Sequence, residues 1–188
     1  MKTQRLFLAI NLPENIKNKL LIYQRQWEDL PARKVPKSNL HITLIFLGDT
    51  SNDQMYNTIK ISEHIAKKHK PFKINLQRII LGPPNKTPRV IWVEGKRNQE
   101  IASLKNDLEN ALLNLENSNY IKKETRAYKP HITLGRIKTG QWKKLENPPK
   151  INKLFDFNVF VDSIELMQSN LKRTGAEYAV LESINLGL

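Results

Sequence analysis

The sequence is 188 residues long and carries a net charge of +13, with 39% hydrophobic and 26% charged residues. That suits one globular domain with a sizeable core and excludes a disordered chain. Cysteine is absent, which excludes disulfides and thiolate metal sites, and no apolar run approaches the roughly 18 residues that span a bilayer.

Residues 5–11 (RLFLAIN) form a predicted strand ended by Asn11-Leu12-Pro13. Pro13 suits the first turn of a helix. Ile16, Leu20, Leu21 and Trp27 give that helix an apolar stripe to about Leu30. Residues 39–47 (NLHITLIFL) form a second, nearly all-apolar strand, ended by Gly48-Asp49. Asp49, Thr50 and Ser51 are all candidate N-caps for a helix over 52–69. Phe72 to Leu81 is a third strand, stopped by Gly82-Pro83-Pro84. The second half repeats the plan: a strand from Arg89 to Val93, a helix over 98–116, and a strand over 130–137 (PHITLGRI). Gln141 to Glu146 reads as a short helix, 153–168 as one or two strands, and Glu177 to Asn185 as another. A hairpin through Lys172-Arg173-Thr174-Gly175 is the simplest joint between the last two.

The β-α-β-α-β plan therefore occurs twice, and its landmarks align. Arg5 and Arg89 open matching strands 84 residues apart, and His41 and His131 open identical His-Ile-Thr-Leu motifs 90 residues apart. The expectation is a single two-lobed domain over 1–188, duplicated at about 1–84 and 85–188, with a cleft between lobes.

Alternation along a strand puts His41 and Thr43 on one face and Ile42 and Leu44 on the other; the same holds for His131 and Thr133. A lone histidine on an apolar strand is ordinarily a packing residue. Two copies of one tetrapeptide at matched places are not explained by packing, because core positions tolerate many apolar residues. His64 and His69, at the end of a Lys-rich helix, read as solvated. Zinc is disfavoured because each motif offers threonine rather than Asp, Glu or Cys. A G-x-S-x-G turn, a P-loop and G-x-G-x-x-G are all missing. Paired histidines suit displacement at a phosphodiester: one imidazole takes a proton from water, the other protonates the departing oxygen. The threonine hydroxyls can donate to non-bridging oxygens. Between Tyr120 and Lys144 lie Lys122, Lys123, Arg126, Lys129, Arg136, Lys138, Lys143 and Lys144 against one acid, Glu124, a setting that draws an anionic substrate.

The two H-x-T motifs, with RLFLAINLP, NLHITLIFLGD, PRVIWVEG, YKPHITLGR and ELMQSNLKRTGAEYAVL, resemble the RNA 2′,3′-cyclic phosphodiesterase family over nearly the whole chain. That family, historically called 2′-5′ RNA ligase, lies within the two-histidine (2H) phosphoesterase superfamily. The resemblance implies a bilobal α+β fold, two antiparallel sheets flanked by helices around a central cleft. It implies metal-independent opening of an RNA 2′,3′-cyclic phosphate to a 2′-phosphomonoester, with weak reverse 2′-5′ ligation. It further implies His41 as proton donor, His131 as proton acceptor, and Thr43, Thr133 and Arg136 as phosphate-binding residues. The expected partner is RNA ending in a cyclic phosphate, or a related cyclic nucleotide, met by a cytoplasmic monomer with no cofactor and no membrane. Strict alternation turns Arg136 away from His131, so its role needs a β-bulge or the strand's end nearby. Phe7 and Trp92 read as core residues more readily than as base-stacking ones. Two other readings stay open: a binding module that kept the cleft without catalysis, and an enzyme acting on a cyclic phosphate of ADP-ribose or a small nucleotide.

Overall fold

The computed structural model of the protein describes residues 3–84, 86–115, 121–173 and 175–187. In chain order the elements are β1 (Gln4–Asn11), α1 (Glu14–Arg25), β2 (Ala32–Lys34), β3 (His41–Thr50), α2 (Asn52–Ala66), β4 (Phe72–Gly82) and β5 (Val90–Gly95). Then come α3 (Gln99–Leu113), β6 (His131–Ile137), α4 (Thr139–Trp142), β7 (Asn152–Val161), β8 (Ser163–Lys172) and β9 (Gly175–Asn185).

The strands form two antiparallel sheets, ordered β3-β1-β8-β9 and β2-β6-β5-β4-β7. The class is α+β, as expected. Sheet membership does not divide where the sequence repeat divides. The third strand of the first half, β4, pairs with β5 and β7 in the sheet of His131. The strand β8, from the second half, pairs with β1 in the sheet of His41. The crossing from β7 to β8 takes a single residue, Asp162, which resolves the ambiguous 153–168 segment into two strands.

Residues 6 to 10 of β1 are buried, as the run of apolar side chains requires of a strand covered on both faces. Ile42, Leu47, Ile74, Leu76, Ile132 and Leu166 join one continuous core with the apolar stripes of α1 and α3. Ser51 is the N-cap of α2; its hydroxyl accepts from Gln54 N–H while the Gln54 side chain accepts from Ser51 N–H, a reciprocal capping box. Asn98 caps α3 by accepting from Ile101 N–H.

Several boundaries differ from the sequence reading. The helix α1 stops at Arg25 rather than near Leu30, because Trp27 and Leu30 continue the apolar pattern from turns and still pack on the core. Gly48 does not end β3. It sits inside the strand at φ 76°, where β1 skips Leu47: Leu6 pairs with Gly48 and Phe7 with Phe46. This is the left-handed position that glycine supplies to a bulge. His69 is only partly solvated; its imidazole contacts Asp107 of α3 at 3.0 Å.

Candidate active site

The strands β3 and β6 pack against one another across the junction of the sheets. Their burial patterns are identical over seven residues from each histidine. The partner strand skips one residue in each: β1 pairs Leu8 with Ile45 and Ala9 with Thr43, omitting Leu44, and β5 pairs Ile91 with Gly135 and Trp92 with Thr133, omitting Leu134. Each bulge reverses the alternation beyond it. His41, Thr43 and Phe46 therefore share one face, and His131, Thr133 and Arg136 share the other. Of the two ways open to Arg136, a bulge or the strand's end, the bulge is present.

All six side chains line one cleft of about 1000 Å³ between the sheets. His41 Nδ1–H donates to the Asn39 carbonyl at 2.7 Å. A carbonyl can only accept, so this bond fixes the tautomer and leaves Nε2 to accept from the Thr43 hydroxyl at 2.9 Å. His131 is held alike: its Nδ1–H donates to the Lys129 carbonyl at 3.0 Å. Each imidazole rests on an aromatic ring, His41 on Phe7 at 5.0 Å and His131 on Trp92 at 4.9 Å. Tyr178 closes on the edge of His41 at 5.2 Å.

Burial pushes the His41 imidazole from its ordinary 6.5 down to about 4, against an opposing pull from the Asn39 carbonyl. The charges of His131, Arg136 and Lys17 act in the same direction as burial. His131 and Arg136 are thus electrostatic neighbours of His41 although they belong to the other sheet.

The surrounding residues keep these groups in place. Asn39, 5% exposed, donates to Ala176 O at 2.6 Å and accepts from Tyr178 N–H at 3.1 Å, which fastens the β8–β9 hairpin to the first motif. Glu94 accepts from Lys129 at 2.6 Å and Arg78 at 2.7 Å. Burial raises its carboxyl; those two cations outweigh that and hold it below the usual range. Tyr128 donates to Thr43 O at 2.7 Å, and burial keeps its phenol protonated far above its usual range. Gly82 underlies Trp92, where an added Cβ would meet the indole at 2.6 Å.

Of the lysines and arginines between Tyr120 and Lys144, Arg136 alone lines the cleft among the described residues; Tyr120 lies outside them. Lys129 and Arg126 are spent on Glu94 and Glu124. The cleft's other cations include Arg33 and Lys34 of β2, which sequence reading missed because a three-residue polar strand between prolines carries no periodic signal. Lys34 is paired with Glu28, whereas Arg136 has no acidic partner among the described residues. Phe7 and Trp92, expected in the core, do pack, but onto the histidines. Phe7 belongs to a small cluster with Ala9 and Met167, separate from the main core. No cluster of three or more potential metal ligands occurs among the described residues.

Such a fold, with an H-x-T strand from each sheet facing one cleft, defines a two-histidine phosphoesterase. Residues 10–92 match the family model described as LigT like Phosphoesterase. The RNA 2′,3′-cyclic phosphodiesterase of Methanocaldococcus jannaschii is 36% identical over 95% of this chain and 98% of its own. A crystal structure of a Thermus thermophilus protein superposes with a TM-score of 0.83 at 29% identity, covering 97% of both chains. Escherichia coli LigT complexed with 3′-AMP superposes at 0.75, with 26% identity and 98% coverage of both. The chain belongs to the LigT-like RNA 2′,3′-cyclic phosphodiesterase family.

Proposed function

We propose that this protein hydrolyses the 2′,3′-cyclic phosphodiester at an RNA end to a 2′-phosphomonoester, without a metal, as a cytoplasmic monomer. The observation that carries the reading is the cleft shared by two imidazoles whose Nδ1 atoms are both committed to carbonyls, so that proton transfer falls to Nε2 in each ring, at His41 in exchange for its contact with the Thr43 hydroxyl. Curated relatives bearing the name RNA 2′,3′-cyclic phosphodiesterase support the substrate class.

In this mechanism His131 Nε2 takes a proton from water as its oxygen bonds to phosphorus. The P–O3′ bond breaks, and His41 Nε2 gives a proton to O3′. Thr43, Thr133 and the Arg136 guanidinium receive the non-bridging oxygens, where charge accumulates. In the free protein His41 is neutral near pH 7. A bound phosphodiester brings a negative charge that offsets Arg136 and favours the imidazolium, so the substrate itself loads the donor. With an RNA 5′-hydroxyl in place of water, the same groups form a 2′-5′ bond as the P–O3′ bond breaks and O3′ takes its proton from His41, a weak side reaction. The matched strands, bulges and carbonyl contacts also support an ancestral duplication at about 1–84 and 85–188.

The test is to incubate the protein, with a chelator, with a short RNA ending in a 2′,3′-cyclic phosphate and to identify the product. A 2′-phosphate is expected. A 3′-phosphate reverses the leaving oxygen, and no product overturns the reading.

A further inference from the structure

A 2′,3′-cyclic phosphate ties up both secondary oxygens of the terminal ribose. The rest of an RNA chain can therefore leave the cleft only through O5′, and the first group on that path is a phosphodiester anion.

Among the described residues five lysines and arginines line the cleft: Arg5, Arg33, Lys34, Arg136 and Lys172. Lys34 is spent on Glu28 and Lys172 on Glu177. Arg33 lies against Gly175 of the β8–β9 hairpin, and Arg136 shares the face of His131. Arg5 differs from all of these. It has no acidic partner among the described residues, although Asp49 is its in-register neighbour on β3. Alternation along β1 puts Arg5 on the face of Phe7, the ring on which His41 rests. It stands two residues beyond Phe7, about 6.8 Å further along the strand.

Arg5 also belongs to a second concavity. A trough of about 670 Å³ meets the cleft along Arg5, Ser169 and Leu171, which line both. Four carboxamides of the trough form one hydrogen-bonded row. Asn170 donates to Gln168 at 3.4 Å, Gln168 to Gln4 at 2.8 Å, and Gln4 to Asn52 at 3.3 Å. A carboxamide has two N–H donors and two acceptor lone pairs, so each member keeps spare capacity. Such a row suits base edges and ribose hydroxyls, which also carry donors and acceptors side by side. Asp49 lines the trough but not the cleft, so the place for an anion is the junction, at Arg5, and not the trough itself.

We infer that Arg5 binds the phosphodiester on the 5′ side of the terminal nucleotide, and that the carboxamide trough receives the nucleoside beyond it. The protein is then built for RNA chain ends in preference to free cyclic nucleotides. The inference rests on the phosphodiesterase reading above and narrows its substrate.

The test compares adenosine 2′,3′-cyclic phosphate with the dinucleotide adenylyl-(3′→5′)-adenosine 2′,3′-cyclic phosphate in the wild type, Arg5→Ala and Gln168→Leu. In the wild type the dinucleotide KM should lie at least about tenfold below that of the mononucleotide. Arg5→Ala should raise the dinucleotide KM at least about fivefold and reduce the slope of log KM against log salt by about 0.7. Gln168→Leu should raise it at least about threefold and leave that slope unchanged. Mononucleotide KM and kcat should shift less than about twofold in both variants, which also reports that each has folded. Equal KM values for the two substrates in the wild type, a dinucleotide KM unmoved by either variant, or a variant that affects both substrates alike would overturn the upstream site while leaving the phosphodiesterase reading intact. A wild type inactive on both substrates would remove that reading and the inference with it.

Discussion

The phenol of Tyr128 donates to the backbone carbonyl of Thr43 at 2.7 Å, across the junction of the two sheets. Tyr128 precedes Lys129, whose carbonyl holds His131, and Thr43 bonds His41. One hydrogen bond thus couples the spacing of the two imidazoles. Tyr128→Phe keeps the ring and removes the bond, leaving a carbonyl short of its partner. We expect a loss of about 1–3 kcal/mol in unfolding free energy by denaturant titration. A fall in kcat larger than that in wild-type protein destabilised equally by temperature would separate positioning from simple weakening.

Replacing either histidine by alanine should lower the rate of cyclic phosphate opening by at least about 10²-fold. Circular dichroism should report an unchanged fold, since both rings face the cleft. Near-wild-type turnover from His41→Ala or His131→Ala would remove that residue from the proton transfers.

Arg136→Ala should raise KM and flatten its dependence on salt, because the lost contact is ionic. Arg136→Lys should recover only part of the loss, since an ammonium cannot grip two oxygens as a planar fork does. Steady-state kinetics at two ionic strengths decide it.

The low proton affinity of His41 has a stability consequence. An unfolded histidine binds a proton below about pH 6.5, whereas the folded one does so only near pH 4. The unfolded state therefore binds more protons in that window, and folding stability falls as pH drops through it. The contribution is fully present above about pH 6.5 and is worth roughly 3 kcal/mol at most. Urea titrations at pH 7 and pH 4.5 should show a smaller stability loss for His41→Gln than for the wild type.

Gly82→Ala forces a methyl against the Trp92 indole. The expected cost is about 1–3 kcal/mol in stability, with a lowered kcat because Trp92 supports His131. A thermal melt and a rate assay on one preparation check both.

Much of this was legible because the chemistry sits in a repeated tetrapeptide on strands whose apolar pattern is strong. The alternation of His41 and Thr43 against Ile42 and Leu44 can be read without coordinates. What stayed hidden depends on pairing. Leu134 gives no local sign that β5 will skip it, so the turning of Arg136 toward His131 could be stated only as a requirement. Asn39 was hidden for the same reason: its partners Ala176 and Tyr178 lie over 130 residues away. Phe7 and Trp92 read as core because a ring buried against an imidazole and one buried against leucine look alike in sequence. Residue 116, the end of one predicted helix, lies outside the described residues.

The exchange of β4 and β8 between sheets also bears on how the chain can be divided. Severed between Gly82 and Val90, the N-terminal piece would keep β1 and β3 but strand β4 without either neighbour, and the C-terminal piece would leave β8 without β1. Each fragment would carry one intact H-x-T motif and an orphaned sheet edge. Neither should be a miniature of the whole; the two should instead behave as complementing fragments, recovering a cleft only when mixed.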